Sequence, residues 1–367
     1  MSEWKEYRLG EVVTFQRGFD LPKDKMRNGE YPVAGSNGVI GWHNEYTTEG
    51  PGVTIGRSGN IGIAHYYPID FWAHNTSLYV KDFKGNEPQF IYYLLKTIDF
   101  SQFNTGSAVP SLNRNHIHEL IVSIPLLDEQ KRIAGVLSSL DDKIDLLNRE
   151  NATLEALAET LFRHYFIENP DPTWKEGKVS DIAIHRKDSI NPQKHSDEIF
   201  LHYSIPAYDN GKRPIEEQGE NIQSNKYVIP QNCILFSKLN PHKDKRIWLL
   251  LDDIKPNAIC STEFQIVKPQ NDQWLYFLYG WLTYKENYDE IASGVSGTSG
   301  SHQRIDPKVI FDIECLIVDN GILAQYNEQI IPIFKKVKSN QQQMQTLAIQ
   351  RDALLPRLMS GEAKIYD

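Results

Sequence analysis

Residues 127–166 read LDEQKRIAGVLSSLDDKIDLLNRENATLEALAETLFRHYF, and their period decides the fold. Ile133, Leu140, Leu147, Leu154 and Leu161 recur every seven positions. A second series follows each by four: Leu137, Ile144, Asn151, Ala158 and Tyr165. Two interlocked series at this spacing give the 3.5-residue period of a coiled-coil seam, the first at d and the second at a. About 40 residues at 1.5 Å each make a rod of roughly 60 Å. A rod of that size in mid-chain needs a partner helix.

The partner lies at residues 328–358, where Ile330, Val337, Met344, Arg351 and Leu358 repeat every seven. Phe334, Gln341, Ala348 and Leu355 occupy the matching a positions. A shift of 190 residues lays Ile144 on Phe334, Asn151 on Gln341, Ala158 on Ala348 and Tyr165 on Leu355. A buried amide at a fixes register at some cost in stability. Two unrelated amphipathic helices would not share the order amide, then alanine. The seam is therefore assigned to Ile133, Leu140, Leu147, Asn151 and Leu154 on one helix and Ile330, Val337, Gln341 and Met344 on the other.

The duplication reaches beyond the helices. Trp4-Lys5-Glu6 reappears as Trp174-Lys175-Glu176, and Leu9-Gly10-Glu11-Val12 as Val179-Ser180-Asp181-Ile182. Each half ends in a glycine- and serine-rich stretch leading to an arginine, residues 106–114 and 297–304. A short apolar strand follows in each, at 120–124 and 313–318, and then the long helix. Residues 52–62 read as strand–turn–strand, 229–238 and 261–267 as strands, and 90–96 and 274–284 as short helices. Glu-Asn-Pro-Asp-Pro-Thr at 168–173 ends the first rod.

Composition sets outer limits. The 367 residues suffice for two ordinary domains plus long helices, and 40% hydrophobic with 24% charged residues is a soluble composition. No run of about 18 apolar residues occurs, so no membrane span is expected. Cys233, Cys260 and Cys315 are scattered without metal-ligand spacing and read as reduced core residues of a cytosolic protein. A net charge of −9 argues against non-specific coating of nucleic acid but leaves room for a local basic surface. Phosphate-loop, dinucleotide, HExxH, GxSxG and amino-methyltransferase signatures are all absent. No catalytic residue or metal site is assigned.

The polar loops fit binding better. Gly56-Arg57-Ser58-Gly59-Asn60 presents a guanidinium, a hydroxyl and an amide on a turn, groups that pair with guanine, phosphate and adenine. Ser36 and Asn37, in the glycine-rich stretch 31–41, join them as candidates. In the second half, residues 237–246 hold four cations, Lys238, Lys243, Lys245 and Arg246, beside Ser237 and Asn240. The bland alternative is a solvated hairpin tip. Ser107, Asn113 and Arg114, with Thr298, Ser301, His302 and Arg304, could supply phosphate contacts, the alternative being β-turns with helix-capping hydroxyls.

These landmarks together resemble the DNA-specificity subunits of type I restriction–modification systems. The resemblance rests on Trp-Lys with Leu-Gly-Glu-Val, Tyr31-Pro32-Val33 with residues 35–41, and residues 55–62. Ile124-Pro125-Leu126 with residues 129–134, and the closing Leu354-Leu355-Pro356-Arg357-Leu358-Met359-Ser360-Gly361-Glu362, complete it. The second half departs, with Phe236-Ser237-Lys238-Leu239-Asn240 where the first has its GRSG turn.

The resemblance implies an α+β chain of two mixed α/β target-recognition domains joined by two long antiparallel coiled-coil helices, a pseudo-twofold internal repeat. Residues 1–125 form the first domain, 126–168 the first long helix, 169–318 the second domain, and 319–367 the second long helix and tail. It also implies cytoplasmic double-stranded DNA recognition, with no cofactor on this chain. Two modification subunits would use S-adenosylmethionine, and restriction subunits would use ATP and Mg. The alternative is a non-catalytic scaffold that binds partner proteins through its coiled coil without reading DNA.

Overall fold

A computed structural model describes residues 4–103, 111–296 and 303–365. The chain divides into two compact units, Met1–Arg149 with Asn340–Asp367, and Glu150–Ser339.

In the first unit, Lys5–Arg8 pairs antiparallel with Ile121–Ile124, and Leu9 N donates to Leu120 O at 2.7 Å. This ribbon brings the start of the unit to the root of the first long helix, Leu127–Arg163. A four-stranded antiparallel sheet follows in the order Thr14–Arg17, Ser77–Asp82, Gly52–Gly56, Ala64–Tyr67. Gly52–Gly56 is paired on both edges and buried at every residue, with Val53 and Ile55 on one face and Gly52, Thr54 and Gly56 on the other. A smaller sheet has Tyr31–Gly35 between Gly38–His43 and Trp72–Ala73. Its hairpin turns at Ser36-Asn37, with Gly38 at φ 95°.

Phe15, Val53, Ile55, Leu78 and Val80 of the larger sheet pack on Phe90, Ile91 and Leu94 of helix Pro88–Thr97. Ile133 and Leu137 of the first long helix join this core, as do Leu358 and Met359 of the second, Asn320–Met359. Each fully buried aliphatic side chain contributes roughly 1.5–3 kcal/mol. Two polar ties fix the helices. Gln130, 2% exposed, donates to Asn86 Oδ1 (2.9 Å) and Pro125 O (3.0 Å) and accepts from Glu87 N (3.0 Å). Asp141 takes Arg351 Nη1 at 2.6 Å and the Tyr93 hydroxyl at 2.7 Å.

The second unit has the same series. Lys175–Lys178 pairs with Glu314–Ile317, and Val179 N donates to Ile313 O at 3.1 Å. A four-stranded sheet runs Ala183–Arg186, Phe264–Pro269, Cys233–Ser237, Ile247–Leu250. A five-stranded sheet, where the first unit has its three-stranded one, runs Ser189–Ile190, Lys226–Val228, Ala258–Cys260, Ile199–Tyr203, Ile215–Gln218. Helix Leu275–Thr283 lies in a core with Phe162 and Phe166 at the end of the first long helix region and Leu323, Tyr326, Ile330 and Phe334 of the second. Within this unit Lys336 meets Glu150 (3.4 Å) and Gln329 meets Tyr165 (2.5 Å), so the two helix segments run in opposite directions. The three thiols are buried, and burial pushes Cys233 and Cys315 up to about 12.

Several local expectations need correction. The strand expected at 229–238 begins at Cys233, because Pro230 lacks an N–H and Asn232 sits at φ 48°. That expected at 261–267 begins at Phe264, since Phe264 N closes a turn on Ser261 O. The second strand of the 52–62 pattern starts at Ala64, because Gly62 adopts φ 76°. The second long helix starts at Asn320, within the assigned 319–367 and ahead of the heptad run at 328–358, with Asp319 Oδ1 accepting from Gly321 N (2.8 Å) and Ile322 N (3.1 Å).

Of the assigned seam, Ile133, Leu147, Asn151, Ile330, Val337 and Met344 are buried, and Leu140 and Leu154 half-buried. On the second helix Asn327 and Asn340 are the buried amides among the described residues, with Gln341 only half-buried.

Candidate nucleic-acid interface

In the first unit the strand Gly52–Gly56 delivers the chain into the turn that holds Arg57, Ser58 and Asn60. A Cβ on Gly56 would lie 1.8 Å from Asn60 O, so only glycine closes this turn. Gly59 and Gly62 take φ 85° and 76°. Arg57 N and Ser58 N donate to Thr76 O at 2.8 and 3.1 Å, and Leu112 N donates to Arg57 O at 2.8 Å. Ser58 and Ser111 form an antiparallel bridge. The Thr76 hydroxyl, 2.8 Å from His74 Nδ1, accepts from Ser36 N at 3.3 Å. Residues far apart in sequence thus share one junction.

Around it, Asn37, Asn60 and Arg114 are exposed, and Ser36, Arg57 and Ser58 half-buried. The Arg57 guanidinium donates to the Asn75 carbonyl at 3.4 Å. Asn113 caps helix Arg114–His118 by accepting from Asn115 N at 3.0 Å. Burial lowers the pKa of His74 and His118, with Arg114 and Lys84 adding to the effect at His118. The imidazoles are therefore neutral near pH 7, and the positive charge of the cluster rests on arginine.

The second unit builds the same junction from different residues. Lys238 N donates to Glu263 O, and Ile305 N to Lys238 O, both at 3.0 Å. Leu239 and Arg304 form the antiparallel bridge. Lys238 thus stands where Arg57 stands, Glu263 for Thr76, and Arg304 for Ser111. This corrects the sequence pairing of Arg304 with Arg114: Arg114 opens a helix, whereas Arg304 lies in the strand Arg304–Ile305.

The loop's polar residues divide. Ser237, 2% exposed, accepts from Leu239 N at 3.2 Å. Asn240, at φ 47°, accepts from Gln303 N at 3.1 Å while its own N–H bonds Gln303 O at 2.9 Å. Arg246 is drawn inward onto Asp209 (2.7 and 2.9 Å) and Asp244 (2.9 Å). The Lys245 ammonium donates to Thr283 O and stands 5.1 Å above the Tyr288 ring. Four of the candidates, Ser237, Asn240, Lys245 and Arg246, therefore hold the loop in place, against the expectation that they face a ligand. Lys243 is exposed and Lys238 half-buried. Ser107, Thr298, Ser301 and His302 lie outside the described residues.

Sequence reading missed Thr76, Ser111, Glu263 and Gln303. The only local signal is a short polar run before a buried strand, Asn75-Thr76-Ser77 and Ser261-Thr262-Glu263. Among the described residues there is no cluster able to hold a metal ion, and no helix long and apolar enough to cross a membrane.

Comparison with known proteins agrees with this geometry. Residues 1–156 match the family model described as the type I restriction modification DNA specificity domain. The MjaIX specificity subunit of Methanocaldococcus jannaschii is 26% identical over 326 residues, covering 77% of this chain and 71% of that protein. The HindI specificity subunit of Haemophilus influenzae is 21% identical, covering 99% of this chain and all (100%) of the other. The fold matches the crystal structure of a type I S subunit from M. genitalium at TM-score 0.66 and 15% identity, covering 97% of this chain and 96% of that one. Residues 1–156 thus carry the match to a type I restriction modification DNA specificity domain, and over most of its length the chain is similar to specificity subunits of type I restriction enzymes.

Proposed function

We propose that this chain reads a bipartite DNA duplex with one domain per half-site, as the specificity subunit of a type I complex. The observation that carries the reading is the shared junction. Arg57, Thr76 and Leu112 in one unit, and Lys238, Glu263 and Ile305 in the other, make the same backbone hydrogen bonds under loops of different chemistry. A repeated frame with divergent side chains suits recognition of two half-sites of different sequence. Base edges in the major groove are distinguished by such polar groups, while phosphate contacts fix position.

The two long helices pair as an antiparallel coiled coil that spaces the domains in a pseudo-twofold repeat and sets the length of the unread spacer. Supporting this are the apolar seam on each and the opposed helix contacts within the second unit. Catalysis belongs to partners in the cytoplasm: two modification subunits with S-adenosylmethionine, and restriction subunits with ATP and Mg. A chain of net charge −9 gains little from sequence-independent phosphate binding, so partners supply part of the clamp. Footprinting of the reconstituted complex tests the reading. Two protected patches flanking an unprotected spacer are expected; absence of protection attributable to this chain would leave it a scaffold.

A further inference from the structure

The junction has one position at which the two units differ in charge as well as in size. In the first unit that position is Thr76, whose hydroxyl is spent on Ser36 N and His74. In the second it is Glu263, whose carboxylate grips Arg304 in three contacts: Nε to Oε1 at 3.2 Å, Nε to Oε2 at 3.0 Å and Nη2 to Oε1 at 2.8 Å. Arg304 stands where the first unit has Ser111. The pair is not buried: the side chains are 44% and 25% exposed.

We propose that Glu263 is a specificity-determining residue of the second unit, because it fixes Arg304 as a base reader instead of a phosphate contact. The proposal deepens the function given above and rests on it.

A lone guanidinium on a mobile side chain binds whichever phosphate it meets, which adds affinity without sequence information. A guanidinium already neutralised by a carboxylate gains less from phosphate. Its plane is held before DNA arrives, so less side-chain freedom is lost on binding. The fork edge not used by Glu263, at Nη1, keeps its N–H groups for acceptors such as guanine O6 and N7. Among the described residues the first unit has no such carboxylate at its junction, where Arg57 reaches the Asn75 carbonyl at 3.4 Å. The two half-sites are therefore read differently: by an arginine on a backbone carbonyl in one unit, and by a preset ion pair in the other.

The test uses the full chain reconstituted with its modification subunits. Binding is measured on the cognate duplex and on duplexes carrying single base-pair changes in each half-site, at two salt concentrations. Glu263→Gln should keep cognate affinity within about threefold. It should lose roughly tenfold discrimination at one base pair of a single half-site, the size expected for one bidentate base contact. Its salt dependence should steepen as the released Arg304 finds phosphate. Arg304→Lys, which keeps the charge and an ion-pair partner but not the fork, should lose the same discrimination. Unchanged discrimination in both variants, or equal weakening at both half-sites, would overturn the role given to Glu263. A wild-type complex that prefers no split site would overturn the proposed function as well.

Discussion

Arg57 has both backbone groups engaged in the junction, its N–H on Thr76 O and its carbonyl accepting from Leu112 N. Neither bond depends on the side chain, so Arg57→Ala should leave the turn intact. The substitution therefore isolates the guanidinium. If it reads a base, binding by the assembled complex falls by about 1–3 kcal/mol, and the loss is confined to one half-site. If it contacts phosphate, the loss is the same for all sequences and the salt slope falls by about one. Titration of half-site variants at two salt concentrations separates these. A drop in thermal stability equal to the loss in binding would show instead that the side chain supports the fold. Arg246 is the contrasting case, a loop cation tied to Asp209 and Asp244 and 11% exposed.

At the scale of elements, the Glu129-Gln130 step that opens the first long helix has a structural explanation. Gln130 joins the helix to the start of Pro88–Thr97 through Glu87 N and Asn86, and to its own approach through Pro125 O. Gln130→Ala would strand those groups in a buried setting and should cost about 2–4 kcal/mol. Denaturant unfolding of the full chain, with faster amide exchange at Glu87, is the check; unchanged stability and exchange would refute the tie. The long helices were legible because five heptads give many independent matches to one period. Asp319 caps the second, and the buried Leu323 and Tyr326 carry its apolar face back before the heptad run at 328. The loops were legible as polar turns. What sequence did not carry was the meeting of Arg57 with Leu112 and of Lys238 with Ile305, because those bonds are non-local and made by backbone. The same limit hid the inward turn of Arg246, since its partner Asp209 is distant in sequence.

Across the whole molecule, the division into units cuts both long helices, between Arg149 and Glu150 and between Ser339 and Asn340. Each unit therefore takes part of each helix into its own core, as with Ile133 and Leu358 in one and Phe162 and Ile330 in the other. Helices of 37 and 40 residues span about 55–60 Å. In the proposed function their length sets the reach between two half-sites. Four residues inserted into each helix at matched seam positions add about 6 Å of rise, close to two base pairs of duplex. Four residues turn a helix by about 400°, so the seam returns within roughly 40° of its original face and pairing is retained. The reconstituted complex carrying both insertions should therefore prefer a spacer about two base pairs longer. Binding to a set of duplexes that differ only in spacer length measures this directly. An unchanged optimum, in a variant with normal helix content and normal affinity for each half-site alone, would reject the helices as the ruler.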